Sequence, residues 1–374
     1  MKAAGRALLA LLLAAALPAA GPAAGRAEGQ SSPPRSVPAG PVRAVRLDYE
    51  NMARSRPLLD ELEKRLVAAH ANTVALGAGR LDWTYFKWRG HRGSWSSDVH
   101  NTAVDFLWRD AARFGKWAAV DAVVDVLAPR YVASHPQTAA VSWRGVRSAN
   151  LVSTTQLVDG EFGALLVEMV DYIASRYPVN SVSLTELDYY IDGYGEDDAA
   201  SFRKFSGRGD WPRSADGSIN IDDPSIGAWR SHEVGRFLQR AAAAAHAHGK
   251  KLYLDVQVEW DHLERRGASH GQDYGVMLGF ADRLVVWDYF DLAGRPPEYT
   301  TAVARSLLPF GQDRIILSVG LWPKEGAPVS PDALRIALKA GLSAGVVNEW
   351  VTPSRFMDQD HWRALADSWG PGGP

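Results

Sequence analysis

The chain alternates short apolar runs rich in β-branched residues with longer segments in which apolar positions recur every three to four residues. The short runs are typical of buried strands, and the longer segments are typical of amphipathic helices packed against them. Repeated alternation of the two predicts a parallel sheet built from βα units. The predicted strands span residues 44–47, 73–76, 118–126, 181–184, 251–258, 283–287, 314–319 and 345–347.

The predicted helices include 58–71, 103–114, 161–176, 228–248 and 331–340. Eight alternating units favour closure into a (β/α)₈ barrel over an open doubly wound sheet, because the glycine fingerprint for phosphate binding expected of the open sheet is absent. We therefore predict an α/β chain with one (β/α)₈ domain over residues 42–370. Its β2–α2 and β4–α4 loops, residues 80–100 and 189–225, are predicted to be enlarged and to cover the end where barrels place active sites.

The N-terminus has the pattern of a secretory signal peptide. Lys2 and Arg6 precede an apolar run at residues 8–16, and small residues follow it. We assign residues 1–27 to the signal peptide and residues 28–41, rich in Gly, Pro and Ser, to a disordered spacer. The apolar run is too short to span a bilayer, so we expect a secreted protein, extracellular or periplasmic, without stable membrane association after cleavage.

Composition narrows the class of partner. The net charge is −2, with 41 basic and 43 acidic residues interspersed, which argues against nucleic-acid binding. There is no cysteine, and the histidines, His270 among them, show no metal-ligand spacing, so we predict no cofactor and no metal. The 14 tryptophans and 12 tyrosines favour a carbohydrate partner, because aromatic faces stack on the C–H faces of sugar rings. We expect a monomer.

Acidic residues gather at the predicted carboxyl ends of the strands, where side chains point into the mouth of a barrel. They are Asp48, Glu50, Asp125, Glu186, Asp188, Asp255, Glu259, Asp288 and Glu349. The strongest motif is Ser-Leu-Thr-Glu-Leu-Asp-Tyr-Tyr at 183–190, which places two acids and two tyrosines at the end of the fourth strand. Crowded carboxyls split their pKa values, which is what a general acid beside an ionised carboxylate requires.

Glycoside hydrolysis uses one carboxylic acid to protonate the leaving oxygen and a second carboxylate as nucleophile or base. We predict Glu186 as the acid, with Asp288 or Glu259 as its partner and Asp188 tuning the acid. The residues predicted to bind substrate are Asp48, Asp188, Tyr189, Tyr190, Trp83, Trp260, Tyr289, Glu349 and Trp350. Spacing along the sequence does not decide among the partner carboxylates, because their separation in space is what matters.

Three segments resemble the bacterial glycosyl-hydrolase-like barrels grouped with family 10-type glycosylhydrolases. They are residues 128–136, 184–190 and 229–238. The resemblance covers roughly residues 43–365 and implies a (β/α)₈ fold and a polysaccharide or glycoconjugate substrate. It also implies that Glu186 and Asp188 are mouth carboxylates and that His135 and Pro136 form a turn after the third strand. Asp288 and Tyr289 resemble, in reversed order, the Tyr/Asp pair on the sixth strand of chitinase-type barrels.

One feature departs from the retaining glycosidases of this fold, which carry the nucleophile on the seventh strand. Here that strand ends Ser-Val-Gly-Leu-Trp-Pro at 318–323, without an acid. An inverting pair, a substrate-assisted route and a barrel without catalysis therefore remain open. Besides hydrolysis, the sequence is compatible with a non-catalytic carbohydrate-binding barrel and with a polysaccharide lyase or transglycosylase.

Overall fold

The computed structural model describes residues 40–49 and 55–371. The predicted signal peptide, nearly all of the predicted spacer and Glu50 lie outside the described residues. Eight parallel strands form the sheet, and β1 pairs with both β2 and β8, which closes it into a barrel. The strands are β1 Arg43–Leu47, β2 Thr73–Arg80, β3 Ala119–Asp125, β4 Ser181–Thr185, β5 Lys251–Val256, β6 Arg283–Asp288, β7 Ile315–Gly320 and β8 Glu349–Thr352. The predicted (β/α)₈ fold is confirmed.

Helices pack around the barrel, between its strands and after the last one. They are α1 Arg56–Ala68, α2 Ser97–Thr102, α3 Phe106–Phe114, α4 Pro129–Ser134, α5 Thr154–Val158, α6 Glu161–Arg176, α7 Glu196–Ser206, α8 Pro224–His246, α9 Tyr274–Met277, α10 Thr300–Leu307, α11 Pro331–Ser343 and α12 Gln359–Trp369. A two-residue strand, Trp83–Thr84, pairs with the end of β2, and Ala139–Val141 pairs with Arg147–Val152 as a hairpin. Within the described ranges, no helix is both long and apolar enough to cross a membrane.

Alternation along the strands sorts side chains between the barrel interior and the helices. One face supplies a compact apolar floor inside the barrel, formed by Val42, Ala44, Ala75, Val123, Tyr253, Val285, Ile316 and Trp350. The other face joins the main core shared with the helices, to which Leu254, Val286 and Leu317 belong. Residues two positions beyond the floor residues on each strand therefore point toward the mouth.

The eighth strand begins later than its apolar residues suggest. The sequence predicts a strand at 345–347, but Gly345 adopts φ 104° in the turn after α11, and β8 is Glu349–Thr352. Asn348 stabilises this turn, since its side chain accepts a hydrogen bond from Val42 N (2.9 Å) and donates one to Ile315 O (3.0 Å). The shift places Glu349 at the start of the strand, at the end of the barrel opposite the mouth.

Candidate active site

Arg46 on β1 provides a cation at the centre of the mouth. It faces inward, two positions beyond the floor residue Ala44, and its Nε atom is fully enclosed. Burial opposes its charge, but Asp255, Tyr49 and Asp48 raise the pKa of Arg46 above its ordinary value. The guanidinium therefore stays charged and partly neutralises the acids that surround it.

Glu186 follows the last residue of β4 and adopts φ 68°, a left-handed conformation that is uncommon for a residue other than glycine. Thr185 faces the interior together with Ser181, whose hydroxyl donates to Asp121 (2.5 Å), so regular alternation would turn Glu186 outward. The left-handed residue interrupts this alternation. The charges of Asp125, Arg46 and Asp255 all act on the Glu186 carboxyl, which places it on the mouth side.

The surroundings of Glu186 favour its protonated form. Burial, then the negative charges of Asp125, Asp255 and Asp188, raise the pKa of Glu186 to about 7, although Arg46 opposes the shift. The residue is nevertheless not completely buried. A carboxyl that holds its proton near neutral pH and is not sealed inside the protein has the properties of a general acid.

Asp188, two residues further on, has the opposite tendency. Its Oδ1 accepts hydrogen bonds from His270 Nδ1 (2.8 Å) and from Tyr190 N (3.0 Å). Burial would raise the pKa of Asp188, but the bond and the charge of His270, together with the Tyr190 N–H, lower it below its ordinary value. Neighbouring carboxyls whose pKa values are driven apart are the arrangement expected for acid and base roles.

Two more carboxyls lie in the same mouth. Asp125 at the end of β3 accepts a hydrogen bond from Leu127 N (2.8 Å), and burial raises its pKa despite the nearby Arg80 and Arg46. Asp255 on β5 accepts one from Trp287 Nε1 (3.2 Å), and burial raises its pKa to about 6. The mouth thus holds Asp125, Glu186, Asp188 and Asp255 near Arg46. Asp48 also contributes, because its charge acts on Arg46 and Tyr49.

Aromatic rings form two walls of the mouth. On one side Tyr289 stacks on Trp287, with ring centroids 5.0 Å apart and planes 10° apart, and lies 5.0 Å from the Trp322 ring. Gly320 makes this possible, since a Cβ there would lie 2.2 Å from Tyr289 Cδ1. On the other side Tyr49 contacts Trp83 edge to face at 4.8 Å. The predicted residues Trp83 and Tyr289 are therefore both at the mouth.

Asp288 does not lie in the mouth, which corrects its predicted placement as the partner carboxylate. Val285 and Trp287 face the interior, so Asp288 points outward, where its Oδ2 accepts a hydrogen bond from Thr300 Oγ1 of α10 (2.6 Å). The side chain is fully buried, and burial raises its pKa to about 7. The raised pKa reflects burial between strand and helix.

Glu349, Trp350 and Tyr189 also lie away from the mouth, contrary to prediction. Glu349 is buried at the opposite end of the barrel, where it accepts a hydrogen bond from Trp369 Nε1 (2.7 Å) and lies 3.8 Å from Arg43. Trp350 is 1% exposed and belongs to the apolar floor, because the later start of β8 turns it inward below the mouth. Tyr189 is completely buried, and the charge of Asp198 acts on its phenol.

Glu259, Trp260 and Tyr190 line a separate cleft of about 450 Å³ beside the mouth. Glu259 is 9% exposed and accepts a hydrogen bond from Ser269 N (3.2 Å) and another from the Ser269 hydroxyl. His270 connects the cleft to the mouth, because it lines the cleft and also binds Asp188. The structure therefore places Glu259 next to the acid cluster but does not bring it into that cluster.

Besides Tyr49, Trp287 and Trp322 of the aromatic walls, sequence reasoning missed Arg46 and His270. Arg46 could have been found from strand alternation, since it shares a face with Ala44 and Asp48. His270 gave no such signal, because it lies 82 positions from Asp188 in the sequence. Across the described part of the chain, no group of three or more histidine and acidic side chains is arranged to hold a metal ion.

Comparisons with known proteins extend the description of the fold. No protein-family model matches the chain, and no curated protein matches it significantly. The structure is similar to the glycoside hydrolase domain of PgaB (BpsB) from Bordetella bronchiseptica, with a TM-score of 0.66 and 17% identity over 88% of this chain and 99% of that one. It is also similar to the catalytic domain of a β-amylase from Paenibacillus polymyxa, with a TM-score of 0.63 and 11% identity over 91% and 100% of the two chains.

A third similar structure is a β-galactosidase from Rahnella sp. R3, with a TM-score of 0.64 and 12% identity over 88% of this chain and 55% of that one. At these identities the likenesses show the fold alone. They support the resemblance to glycosyl-hydrolase-like barrels at the level of architecture. The more specific assignment to the family 10-type group stays a prediction.

Proposed function

We propose that the chain hydrolyses a glycosidic bond in a polysaccharide or glycoconjugate, with Glu186 as proton donor. The observation that supports this most is the pairing at the end of β4. There a left-handed residue turns a carboxyl with a pKa of about 7 into the mouth, next to an aspartate whose pKa is lowered. Because Glu186 keeps its proton near neutral pH, it can donate that proton to the oxygen of a departing sugar.

Asp188 and Asp125 are the carboxylates that replace Asp288 and Glu259 as partners in this proposal. Asp188 is the better candidate to remain ionised, since His270 and the Tyr190 N–H stabilise its charged form. An ionised carboxylate beside the sugar ring stabilises the positive charge that develops as the bond breaks. The aromatic walls at Tyr289 and at Trp83 provide faces on which sugar rings stack.

The experiment is a comparison of the wild type with Glu186→Gln on a panel of polysaccharides and oligosaccharides, with new reducing ends as the readout. The variant keeps the shape of the side chain but has no proton to donate. We expect its rate to fall by about 10² to 10⁴, the range of general acid catalysis, while saccharide binding persists. Equal rates for the two proteins on every substrate that is cleaved would refute the proposal.

A non-catalytic carbohydrate-binding barrel is the second candidate. It is favoured by β7, Ile315–Gly320, which carries no acid where retaining barrels place the nucleophile. In that case wild type and Glu186→Gln would bind the same saccharides, and neither would release reducing ends. A lyase would instead leave unsaturated products that absorb in the ultraviolet.

We also propose that residues 1–27 direct the export of the protein.

A further inference from the structure

We propose that His270 is a positioning residue, which keeps Asp188 ionised and oriented beside Glu186. This inference rests on the proposed function, because it assigns a role within the same site. His270 Nδ1 lies 2.8 Å from Asp188 Oδ1, and the side chains are only 17% and 33% exposed. The Tyr190 N–H donates to the same oxygen at 3.0 Å. Both hydrogen bonds are therefore made to Oδ1 and not to Oδ2 of the carboxylate.

The turn that carries His270 is held firmly in place. It is the short helix Ala268–His270, flanked by Gly267 and Gly271 with φ 77° and 76°. A Cβ at Gly271 would lie 2.6 Å from Arg230 Cβ, and one at Gly267 would lie 2.6 Å from the Tyr274 ring. The turn therefore requires glycine at both ends, where the backbone is left-handed and closely packed.

Three contacts join this turn to the segment that carries Glu186 and Asp188. Gln272, which is 1% exposed, donates to Leu187 O at 2.9 Å, and Tyr189 N donates to His270 O at 3.4 Å. The guanidinium of Arg230 donates to both Ser269 O and Tyr190 O at 3.3 Å. These contacts hold the His270 imidazole and the Asp188 carboxylate on connected segments, so the two side chains have little freedom to separate.

The chemical consequence follows from the charge on Asp188. If that carboxylate took up a proton, it could no longer stabilise the positive charge that develops on the sugar. The hydrogen bond that His270 Nδ1–H donates favours the ionised form of Asp188, whenever Nδ1 carries a hydrogen. Charged and titratable groups surround this pair. Glu186, Tyr190, Asp192 and Arg230 interact with it directly or through their charge. The cleft that His270 also lines holds Asp222, Glu259, Asp261, His262 and Arg265.

The test compares wild type, His270→Ala and His270→Asn across pH. Asparagine can present its amide N–H near the position of Nδ1, whereas alanine cannot. For His270→Ala we expect kcat to fall between about tenfold and a hundredfold, the effect of one hydrogen bond to a charged group, with KM little changed. The acid limb of its profile should move up by about one pH unit or more. His270→Asn should restore most of kcat.

A control is available in a second histidine–aspartate pair on the outside of the barrel. His248 Nε2 lies 2.8 Å from Asp171 Oδ1, so His248→Ala removes a similar contact far from the mouth and should leave the profile unchanged. Wild-type kinetics in His270→Ala, or an acid limb that does not move, would overturn the proposal. So would failure of His270→Asn to recover activity while remaining folded.

A measurement without turnover separates this inference from the proposed function. Carbon NMR of labelled aspartate reports the titration of the Asp188 carboxyl. We expect its midpoint to rise in His270→Ala, because burial then acts without the imidazole. An unchanged midpoint would refute the pairing even in an active enzyme. If the midpoint rises but Glu186→Gln cleaves as fast as wild type, the pairing stands and the hydrolytic assignment to Glu186 fails.

Discussion

Removing the negative charge of Asp125 should shift the pH dependence of activity in a predictable direction. Glu186 is active as an acid only while protonated, so the alkaline limb of the activity profile falls tenfold for each pH unit above its pKa of about 7. After burial, Asp125 is the strongest influence that raises this pKa. Asp125→Asn keeps the size of the side chain and removes its charge, so Glu186 should release its proton more easily.

We expect the alkaline limb of kcat/KM to move down by about one pH unit in Asp125→Asn, which corresponds to about 1.4 kcal/mol. The assay is reducing-end release between pH 5 and 9, with each profile normalised to its own maximum so that a lower overall rate does not obscure the shift. Asp288→Asn is the matched control, because Asp288 is buried behind the barrel wall against Thr300. An alkaline limb that stays in place or moves to higher pH in Asp125→Asn would refute the reasoning.

Further predictions concern residues outside the acid cluster. Asp288→Asn and Glu349→Gln should leave kcat/KM unchanged but alter melting temperature. Burial raises the pKa of Asp288 to about 7 and the pKa of Glu349 to about 8. The folded protein therefore loses stability as the pH rises from the ordinary pKa of each carboxyl to its raised pKa. Calorimetry should show that the melting temperature of each variant, measured relative to that of the wild type, is higher at pH 8.5 than at pH 4. The same difference from wild type at both pH values would contradict this. Gly320→Ala should displace Tyr289, whose Cδ1 would lie 2.2 Å from the new Cβ, and cost about 1 to 3 kcal/mol together with activity. Wild-type unfolding and kinetics in this variant would show that the ring stack tolerates the methyl group.

Strand positions could be predicted from the sequence wherever apolar runs coincide with hydrogen-bonded strands. The predicted segment 181–184 differs from β4 by one residue, and this precision is why Glu186 and Asp188 were expected at the mouth. The prediction of the eighth strand was wrong for a local reason. Val346 and Val347 are apolar but belong to a turn stabilised by the Asn348 side chain, so Glu349 and Trp350 were assigned to the wrong end of the barrel.

Side-chain direction at strand ends was harder to predict than strand position. Asp288 continues the regular alternation of β6 and points outward, whereas Glu186 departs from the alternation of β4 through its left-handed backbone. The sequence around these two acids does not distinguish the cases. Contacts between distant segments, such as His270 with Asp188, depend on how loops fold over the mouth and leave no periodic pattern in the sequence.

The central claim is that Glu186 protonates the departing oxygen, and dependence on the leaving group tests it most directly. Wild type and Glu186→Gln are compared on a glycoside of the cleaved sugar with an ordinary alcohol as leaving group, and on its dinitrophenyl counterpart, which departs without a proton. Our account predicts a rate loss of about 10² to 10⁴ on the first substrate and a much smaller loss on the second. Equal losses on both substrates would contradict it.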